Sequence, residues 1–409
     1  MNPDESPRWS LATRIAFRFA FCYFALYFLP GFAFARLPRG EVAGQKYFEI
    51  WDAIVLRVGE DVLHLPYEFY FEGRGVNNTA YGWVLFLCYL ALAAVATVIW
   101  SVLDRDRGRY DRLHQALRLV LRLMLAGAMI HYGVIKVIPS QMTAPPPMGL
   151  LSFRIGDLIP PHLLWWTVGT SPPFETFIGL AEMLGGLLLL VPRTVLLGAL
   201  ICAANASTIF LLNMTYDVSV KLPSLNLLVM AVLLIAPDLR RLADVFFFNR
   251  RVEPARATPL FQRKWINGAI HILVLVGGLN AIGPSLEFAT RQYEKMHPPR
   301  PPMYGHWSVE EFAVDGKDVP LFTEPERWRW VSFLKPGFLH VEHMIGSAKS
   351  YELDLDMKKK VMTLDRSTLS VELPETGVLI LDGDLDGHHT RARLRRMPLI
   401  REVPPPYKG

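Results

Sequence analysis

Polar and ionisable side chains interrupt the longest apolar stretches of this sequence. His131, Glu182 and Asn205 each lie inside a run of apolar residues about long enough to cross a lipid bilayer. Such groups are costly inside a bilayer, and where they occur they commonly mark a binding site or a proton path. At ~1.5 Å per helical residue, the three side chains lie roughly 10–14 Å below the same membrane surface. We therefore expect them to meet at one level, where they could bind a polar headgroup.

A second group of polar residues lies nearer to that surface. Tyr132 and Lys136 are four residues apart and share a helix face. Lys136 and Lys221 offer positive partners for the carboxylates, so either the groups pair and hold the helices together, or they line a site for a small molecule. The sequence leaves both hypotheses open. The candidate ligand-binding residues are His131, Tyr132, Lys136, Glu175, Glu182, Asn205, Asn213, Asp217 and Lys221.

Small residues accompany two of these carboxylates. Glu175, Gly179, Glu182 and Gly186 follow one another at the spacing of a single helix face. A face of this kind lets a second helix or a ligand approach closely.

The apolar stretches predict an α-helical membrane bundle. Seven candidates for spanning helices lie at 13–35, 80–103, 118–139, 173–191, 193–212, 221–237 and 265–283. The first ends in Ala-Phe-Ala, which resembles a signal-peptidase site, but its apolar run is longer than a signal core, and we expect it to stay as a membrane helix. The stretch 140–172 is rich in proline and has paired tryptophans, and is expected to be an outer loop or a short interfacial helix.

Arginines in the short loops predict the orientation of the bundle. The loops 104–118 and 238–264 are rich in arginine, and loops of this composition stay in the cytoplasm. With seven spans, the amino terminus is then cytoplasmic, 36–79 is an outer loop, and the residues from about 284 lie outside the cell or in the periplasm. We expect a multi-pass protein of the bacterial cytoplasmic membrane.

The carboxyl-terminal part has a different pattern. After a proline-rich linker at 296–302, short alternating runs separated by turn residues predict an antiparallel β domain, either a small barrel or a curved sheet. Asp382, Asp384 and Asp386 match the first half of a calcium-binding loop, which makes them a weak candidate metal site. The twelfth position is Arg393 instead of glutamate, so we favour a hairpin turn.

The composition narrows the possible partners. Apolar residues make up 51% of the 409 residues, and the formal net charge is only +5. The basic residues form no long run with interleaved aromatic residues, so the lipid bilayer is the expected partner and nucleic acid is not. Cys22, Cys88 and Cys202 all lie in apolar stretches without C-x-x-C spacing, which argues against a disulfide scaffold or a zinc–thiolate site.

Three motifs resemble the DoxX/DoxD-like integral membrane proteins. They are HYGVIKVIPSQ at 131–141, GLAEMLGGLLLLVPRT at 179–194 and NMTYDVSVKL at 213–222. The resemblance covers about 118–240 and implies a four-helix membrane core. The family includes a subunit of a thiosulfate:quinone oxidoreductase, and the bundle is more distantly similar to the membrane part of vitamin K-dependent carboxylase-like proteins. The resemblance thus implies a quinone-type ligand, with Lys136, Glu182, Asn213, Asp217 and Lys221 as the matching residues.

The sequence as a whole predicts four parts. These are amino-terminal spans with an outer loop (1–117), a DoxX-like core (118–240), a cytoplasmic loop with the last span (241–295) and an extracytoplasmic β-rich domain (296–409). The leading hypothesis is a membrane protein that binds a lipophilic quinone-type molecule or supports a membrane redox partner. If it is an enzyme, it is a quinone-linked oxidoreductase or a subunit of one. One alternative is a non-catalytic scaffold whose outer β domain recruits a partner. A transporter is less favoured, because the sequence has no clear inverted repeat of broken helices.

Overall fold

The chain forms two compact units. The computed structural model describes residues 8–34, 40–66, 79–145, 158–253, 261–321 and 324–398. One unit comprises Met1–Ile138 and Pro173–Phe288, and the other comprises Pro139–Pro172 and Ala289–Gly409. The structure therefore groups the proline-rich stretch 140–172 with the carboxyl-terminal residues, whereas the sequence-based division had placed it inside the DoxX-like core.

Long apolar helices make up most of the first unit. Seven helical stretches in the described part of the chain are long and apolar enough to cross a membrane, which confirms the predicted number and makes this a multi-pass membrane protein. The last stretch is longer than predicted, because a second helix follows the first after a break at Asn280–Ala281. In chain order the helices are α1 Leu11–Phe34, α2 Gly40–Arg57, α3 Ala80–Leu103, α4 Asp111–Val137, α5 Pro160–Gly169, α6 Pro172–Leu190, α7 Val195–Thr215, α8 Lys221–Ile235, α9 Leu239–Phe246, α10 Lys264–Leu279 and α11 Ile282–Met296.

A tight hairpin joins α6 to α7, as the sequence predicts. Pro172 and Pro173 occupy the first turn of α6, where their missing N–H groups cost no helical hydrogen bond. At the other end of α6, the Thr194 hydroxyl donates to the Leu188 carbonyl at 2.7 Å. Arg122 of α4 donates to the carbonyls of Leu189 and Leu190. These bonds satisfy carbonyl groups that the end of a helix leaves without an intrahelical partner.

The predicted outer loop at 36–79 contains a helix that the sequence analysis missed. Residues 40–57 form α2, which continues into a π-helical turn at Val58–Val62. Trp51 and Val55 are buried, and the Tyr81 hydroxyl of α3 donates to Asp52 at 2.6 Å. The helix α2 is amphipathic, and its polar residues interrupt the apolar run by which a spanning helix is recognised in a sequence.

The stretch 140–172 contains the short helix α5, as one of the two predicted alternatives requires. It begins with Pro160 and Pro161, and its Trp166 ring stacks on His162 with the ring centroids 5.9 Å apart. Residues 146–157, which include part of the proline run, lie outside the described residues.

The second unit contains a closed antiparallel barrel. Eight strands follow one another as a meander, and β9 pairs with β1 to close the sheet, while the two-residue β2 pairs only with the end of β1. This confirms the predicted antiparallel β domain and, of its two forms, the small barrel. The strands are β1 Gly305–Val314, β2 Lys317–Asp318, β3 Trp328–Lys335, β4 Phe338–His343, β5 Ala348–Asp356, β6 Val361–Leu364, β7 Ser367–Glu372, β8 Val378–Leu385 and β9 His388–Met397.

The barrel has its own apolar core and a tight final turn. Its interior is filled by side chains such as Trp307, Phe333 and Leu339, all of which are buried. Asp386 and Gly387 join β8 to β9. Their φ angles of 52° and 89° are both positive, as the type I′ turn of a two-residue β-hairpin requires. The predicted hairpin turn at this place is therefore confirmed.

Candidate functional site

Close contact between glycines fixes the register of α4 against α6. A Cβ atom added to Gly179 would lie 2.6 Å from the carbonyl oxygen of Gly133, and one added to Gly133 would lie 2.8 Å from that of Gly179. Neither position has room for a side chain. Gly186 packs in the same way against Ile130. The two helices run antiparallel, so this register brings Tyr132 of α4 level with Glu182 of α6.

Close contact at glycines also fixes the packing of α6 against α7 in their hairpin. A Cβ atom on Gly185 would lie 2.9 Å from Cys202 Sγ, and one on Gly198 would lie 2.8 Å from the amide nitrogen of Leu189. Continuing this antiparallel register by one helical turn brings Asn205 level with Glu182. The expected match in depth between α6 and α7 therefore agrees with the packing of the helices.

A buried ion pair links α4 to α6 at this level. Lys136 Nζ lies 2.8 Å from Glu182 Oε2, and the two residues are only 5% and 1% exposed. Lys136 Nζ also lies 5.6 Å from the centroid of the Tyr132 ring, within the range of a cation–π interaction. Two charges removed from water are tolerated when each balances the other. The direct contact agrees with the expectation that these charges approach one another.

Two buried polar atoms at the level of the pair have no hydrogen-bond partner among the described residues. They are Glu182 Oε1, an acceptor, and Asn205 Nδ2, a donor. Buried polar atoms are nearly always satisfied by protein or by ordered water, so such an atom calls for an explanation. An acceptor and a donor at one level suit a small group that both donates and accepts, such as a hydroxyl group or water.

His131 contacts the helix α11. Its Nδ1 lies 2.9 Å from Ser285 Oγ of α11, and its ring centroid lies 5.8 Å from that of Phe288. The Ser285 hydroxyl donates in turn to the Ala281 carbonyl at 2.7 Å. His131 therefore ties α4 to α11 beside the ion pair.

Part of the second group of polar residues forms a separate cluster at the α7–α8 turn. Lys221 pairs with Asp217, whose side chain is 71% exposed. Asn213 Nδ2 donates to Ser224 Oγ at 3.0 Å, which holds the end of α7 against the start of α8. Asp217 thus has a local partner, and the structure does not bring it into the Lys136–Glu182 pair. Glu175 is buried in the first turn of α6, on the same face as Glu182.

The sequence analysis did not single out two buried arginines of the bundle. Arg122 closes the end of α6, as described above. Arg18 of α1 is 1% exposed and donates to Ser101 Oγ at 2.9 Å, to the Asp104 carbonyl at 2.7 Å and to the Tyr110 hydroxyl. Each arginine interrupts an apolar run, and this interruption is the feature by which the sequence could have identified both residues. Both bind protein carbonyl or hydroxyl groups, as expected of structural residues.

The three aspartates of the weak metal candidate each contact a basic side chain. Asp386 accepts from Lys349 Nζ at 2.6 Å, and this hydrogen bond holds the pKa of the Asp386 carboxyl below its usual value. The His389 ring lies between Asp382 and Asp384, with a nitrogen 3.2 Å from each. Within the described residues, no group of three histidine, cysteine, aspartate or glutamate side chains is placed to hold a metal ion.

These elements define a class of protein: a multi-pass membrane protein that carries a small closed β-barrel in a second unit. The chain is 33% identical over 156 residues to the uncharacterized protein YwoB of Bacillus subtilis (strain 168), and the match spans 37% of this chain and 96% of YwoB. The chain therefore belongs to the same family as YwoB. No family model matches it, and no solved structure matches it.

Proposed function

We propose that this protein is a DoxX-like protein of the bacterial cytoplasmic membrane that binds the headgroup of a lipophilic quinone-type molecule beside Lys136 and Glu182. The observation that carries the proposal is Glu182 Oε1, which is buried inside a bundle of membrane helices and has no hydrogen-bond partner among the described residues. A buried carboxylate that uses only one of its two oxygens has room to accept a further hydrogen bond.

The chemistry of the site fits a quinone and its reduced form. A quinone carbonyl requires a donor, which Asn205 Nδ2 and the Tyr132 hydroxyl offer at the level of Glu182. A quinol hydroxyl can donate to Glu182 Oε1. Lys136 balances the charge of the carboxylate, so that the site stays polar at a depth where an isolated charge would be costly. The apolar tail would leave the site between helices and enter the lipid.

The orientation of the bundle belongs to the same proposal. The arginine-rich loops 104–118 and 238–264 lie in the cytoplasm, together with the amino terminus, and the β-barrel lies outside. If the protein is an enzyme, it is then a quinone-linked oxidoreductase or a subunit of one, and it works with a membrane redox partner.

A non-catalytic scaffold is the second candidate, and two observations favour it. Lys136 and Glu182 contact each other directly, and the glycines bring the backbones of α4 and α6 together. Both features are expected of a pair that only holds helices in place. The barrel would then recruit a partner outside the membrane.

Variants of the ion pair separate the two candidates. Glu182→Gln, Lys136→Met and the double variant are purified in mild detergent beside the wild type, and the co-purifying lipids are identified by mass spectrometry. The matched control is Asp217→Asn with Lys221→Met, which removes the more exposed ion pair at the α7–α8 turn. Removing one partner of a buried pair costs about 3–5 kcal/mol, so the folded state of each variant is checked by thermal unfolding.

The two candidates predict different outcomes. If the site binds a ligand, folded single variants lose a quinone-type molecule that the wild type and the control retain. If the pair is structural, each single change destabilises the bundle, the double change restores its stability, and no such molecule is found with any variant. The second result would replace the binding proposal with the scaffold.

A further inference from the structure

A short segment between α8 and α10 exposes aromatic and basic side chains together. We call residues 239–251 the interfacial segment; it comprises α9 and the turn that follows. It follows α8 and a 3₁₀ turn at Ala236–Asp238 that contains Pro237, and α9 is the last part of the helical stretch Lys221–Phe246, which is long and apolar enough to cross a membrane. The chain enters the next spanning stretch at Lys264. The segment is therefore tethered to the membrane surface from both sides.

Three consecutive phenylalanines of the segment are strongly exposed. Phe246, Phe247 and Phe248 are 73%, 84% and 59% exposed. Their backbone is ordered by hydrogen bonds, since the amides of Phe247 and Phe248 both donate to the Ala243 carbonyl at 3.0 and 3.1 Å. A run of this size beside water is unfavourable, but it suits the boundary between headgroups and acyl chains, where aromatic side chains of membrane proteins collect.

Arginines flank the aromatic run on both sides. Arg240 precedes it in α9, and Arg250 and Arg251 follow it; all three are exposed. Asn249 adopts a left-handed conformation with φ of 48°, and the Arg250 amide donates back to the Asp244 carbonyl at 2.7 Å. This turn brings the Arg250 guanidinium to 5.1 Å from the centroid of the Phe248 ring. A cation is thus held beside the apolar surface that would enter the lipid.

We propose that the interfacial segment is a binding site for anionic phospholipid headgroups. Phe246–Phe248 insert at the acyl boundary, and Arg240, Arg250 and Arg251 bind the phosphate groups above it. Apolar insertion combined with basic residues is the pattern of segments that bind anionic membrane surfaces. This site is separate from the proposed quinone site and does not depend on it.

The test uses the full chain in detergent with added lipids. Thermal unfolding is followed while phosphatidylglycerol or phosphatidylcholine is titrated, because a ligand that binds only the folded state raises the unfolding temperature. The variants are Arg250→Gln with Arg251→Gln, and Phe247→Ser with Phe248→Ser. The matched control is Lys358→Gln with Arg366→Gln, which removes two exposed charges from turns of the barrel. Inorganic phosphate is titrated in parallel.

The proposal predicts that phosphatidylglycerol stabilises the wild type and the control at lower concentration than phosphatidylcholine. Each interfacial arginine contributes about fivefold, so the variant that lacks two of them should need roughly 25-fold more phosphatidylglycerol for the same shift. The phenylalanine variant should respond less to both lipids. Equal responses of the wild type to the two lipids, an unchanged arginine variant, or equal stabilisation by inorganic phosphate would each overturn the proposal.

Discussion

Lys136 and Glu182 form an ion pair of 2.8 Å between α4 and α6, yet the second oxygen of Glu182 is buried without a partner among the described residues. The pair therefore supports both a structural and a binding role. The glycines on the same face allow it to form, because they let the two backbones approach without intervening side chains.

Gly179→Ala should destabilise the bundle. The new Cβ atom would lie 2.6 Å from the Gly133 carbonyl oxygen, and overpacking of this kind costs about 1–3 kcal/mol. Gly127→Ala is the matched control in α4, because a Cβ atom there meets nothing within 4 Å. Thermal unfolding in detergent should show a lower transition for Gly179→Ala alone. Equal transitions for both variants would contradict the packing described for α4 and α6.

The first helix should remain in the mature protein. Arg18 of α1 binds Ser101, Asp104 and Tyr110, and Tyr23 of α1 donates to Asn226 of α8 at 2.7 Å. Cleavage after Ala35 would remove all of these bonds. Intact-mass measurement of the purified protein should give a chain that includes residues 1–35, and Arg18→Met should lose about 1–3 kcal/mol of stability. A mature amino terminus at Arg36 or close to it would refute this.

The Asp315–His388 contact of the barrel should depend on pH. Asp315 Oδ2 lies 2.8 Å from His388 Nδ1; this bond lowers the pKa of Asp315 and raises that of His388 above its usual 6.5. The stabilisation of the folded barrel by the charged His388 ring is complete below pH 6.5. It is lost as the pH rises through the pKa that His388 has in the folded protein. The stabilisation by the charged Asp315 carboxylate is complete above pH 3.8, the usual pKa of an aspartate. It is lost as the pH falls through the pKa that Asp315 has in the folded protein.

The Asp315–His388 contact therefore stabilises the folded barrel most between about pH 4 and 6.5. An NMR titration of the His388 ring should give a pKa above 6.5, and Asp315→Asn should move it back towards that value. An unchanged titration in Asp315→Asn would show that the aspartate does not stabilise the charged ring. His340, whose Nδ1 lies 2.6 Å from Ser350 Oγ, serves as the internal control in the same spectra.

Reporter fusions should place the arginine-rich loops in the cytoplasm. Fusions at residues 110 and 250 are expected to be active with a cytoplasmic reporter, and a fusion at the carboxyl end with a periplasmic one. Activity of a periplasmic reporter at residue 250 would reverse the orientation. The interfacial segment would then face the outer leaflet.

The parts of the fold that the sequence predicts are those fixed by simple periodicity. Bilayer thickness sets the length of each span, so seven apolar runs were enough to predict seven helices. The strand β9 is harder to recognise in the sequence, because Arg391, Arg393 and Arg395 alternate with its buried residues Ala392 and Leu394. The helix α2 was missed because contacts with other elements, such as the Asp52–Tyr81 hydrogen bond, are invisible in a hydropathy pattern.

The candidate site also has a part that the sequence predicts and a part that it does not. The sequence predicted from opposite charge that Lys136 could pair with a carboxylate, and the structure shows that Glu182 is its partner, although Lys136 was placed nearer to the membrane surface than Glu182. Counting residues along each helix gives only the depth of a side chain. It did not separate Asp217 from the pair, because depth says nothing about side-chain direction. Asp217 has a lysine four residues away, and this local contact requires no approach between distant helices.

The central claim is that a ligand group occupies the space beside Glu182 Oε1. A high-resolution cryo-electron microscopy structure of the protein, purified in mild detergent with its native lipids, would test it most directly. The account predicts density for a ring-shaped headgroup within hydrogen-bond distance of Glu182 Oε1 and Asn205 Nδ2, with an apolar tail running between helices. Both atoms bonded only to protein or to ordered water, with no density for a ligand, would contradict it.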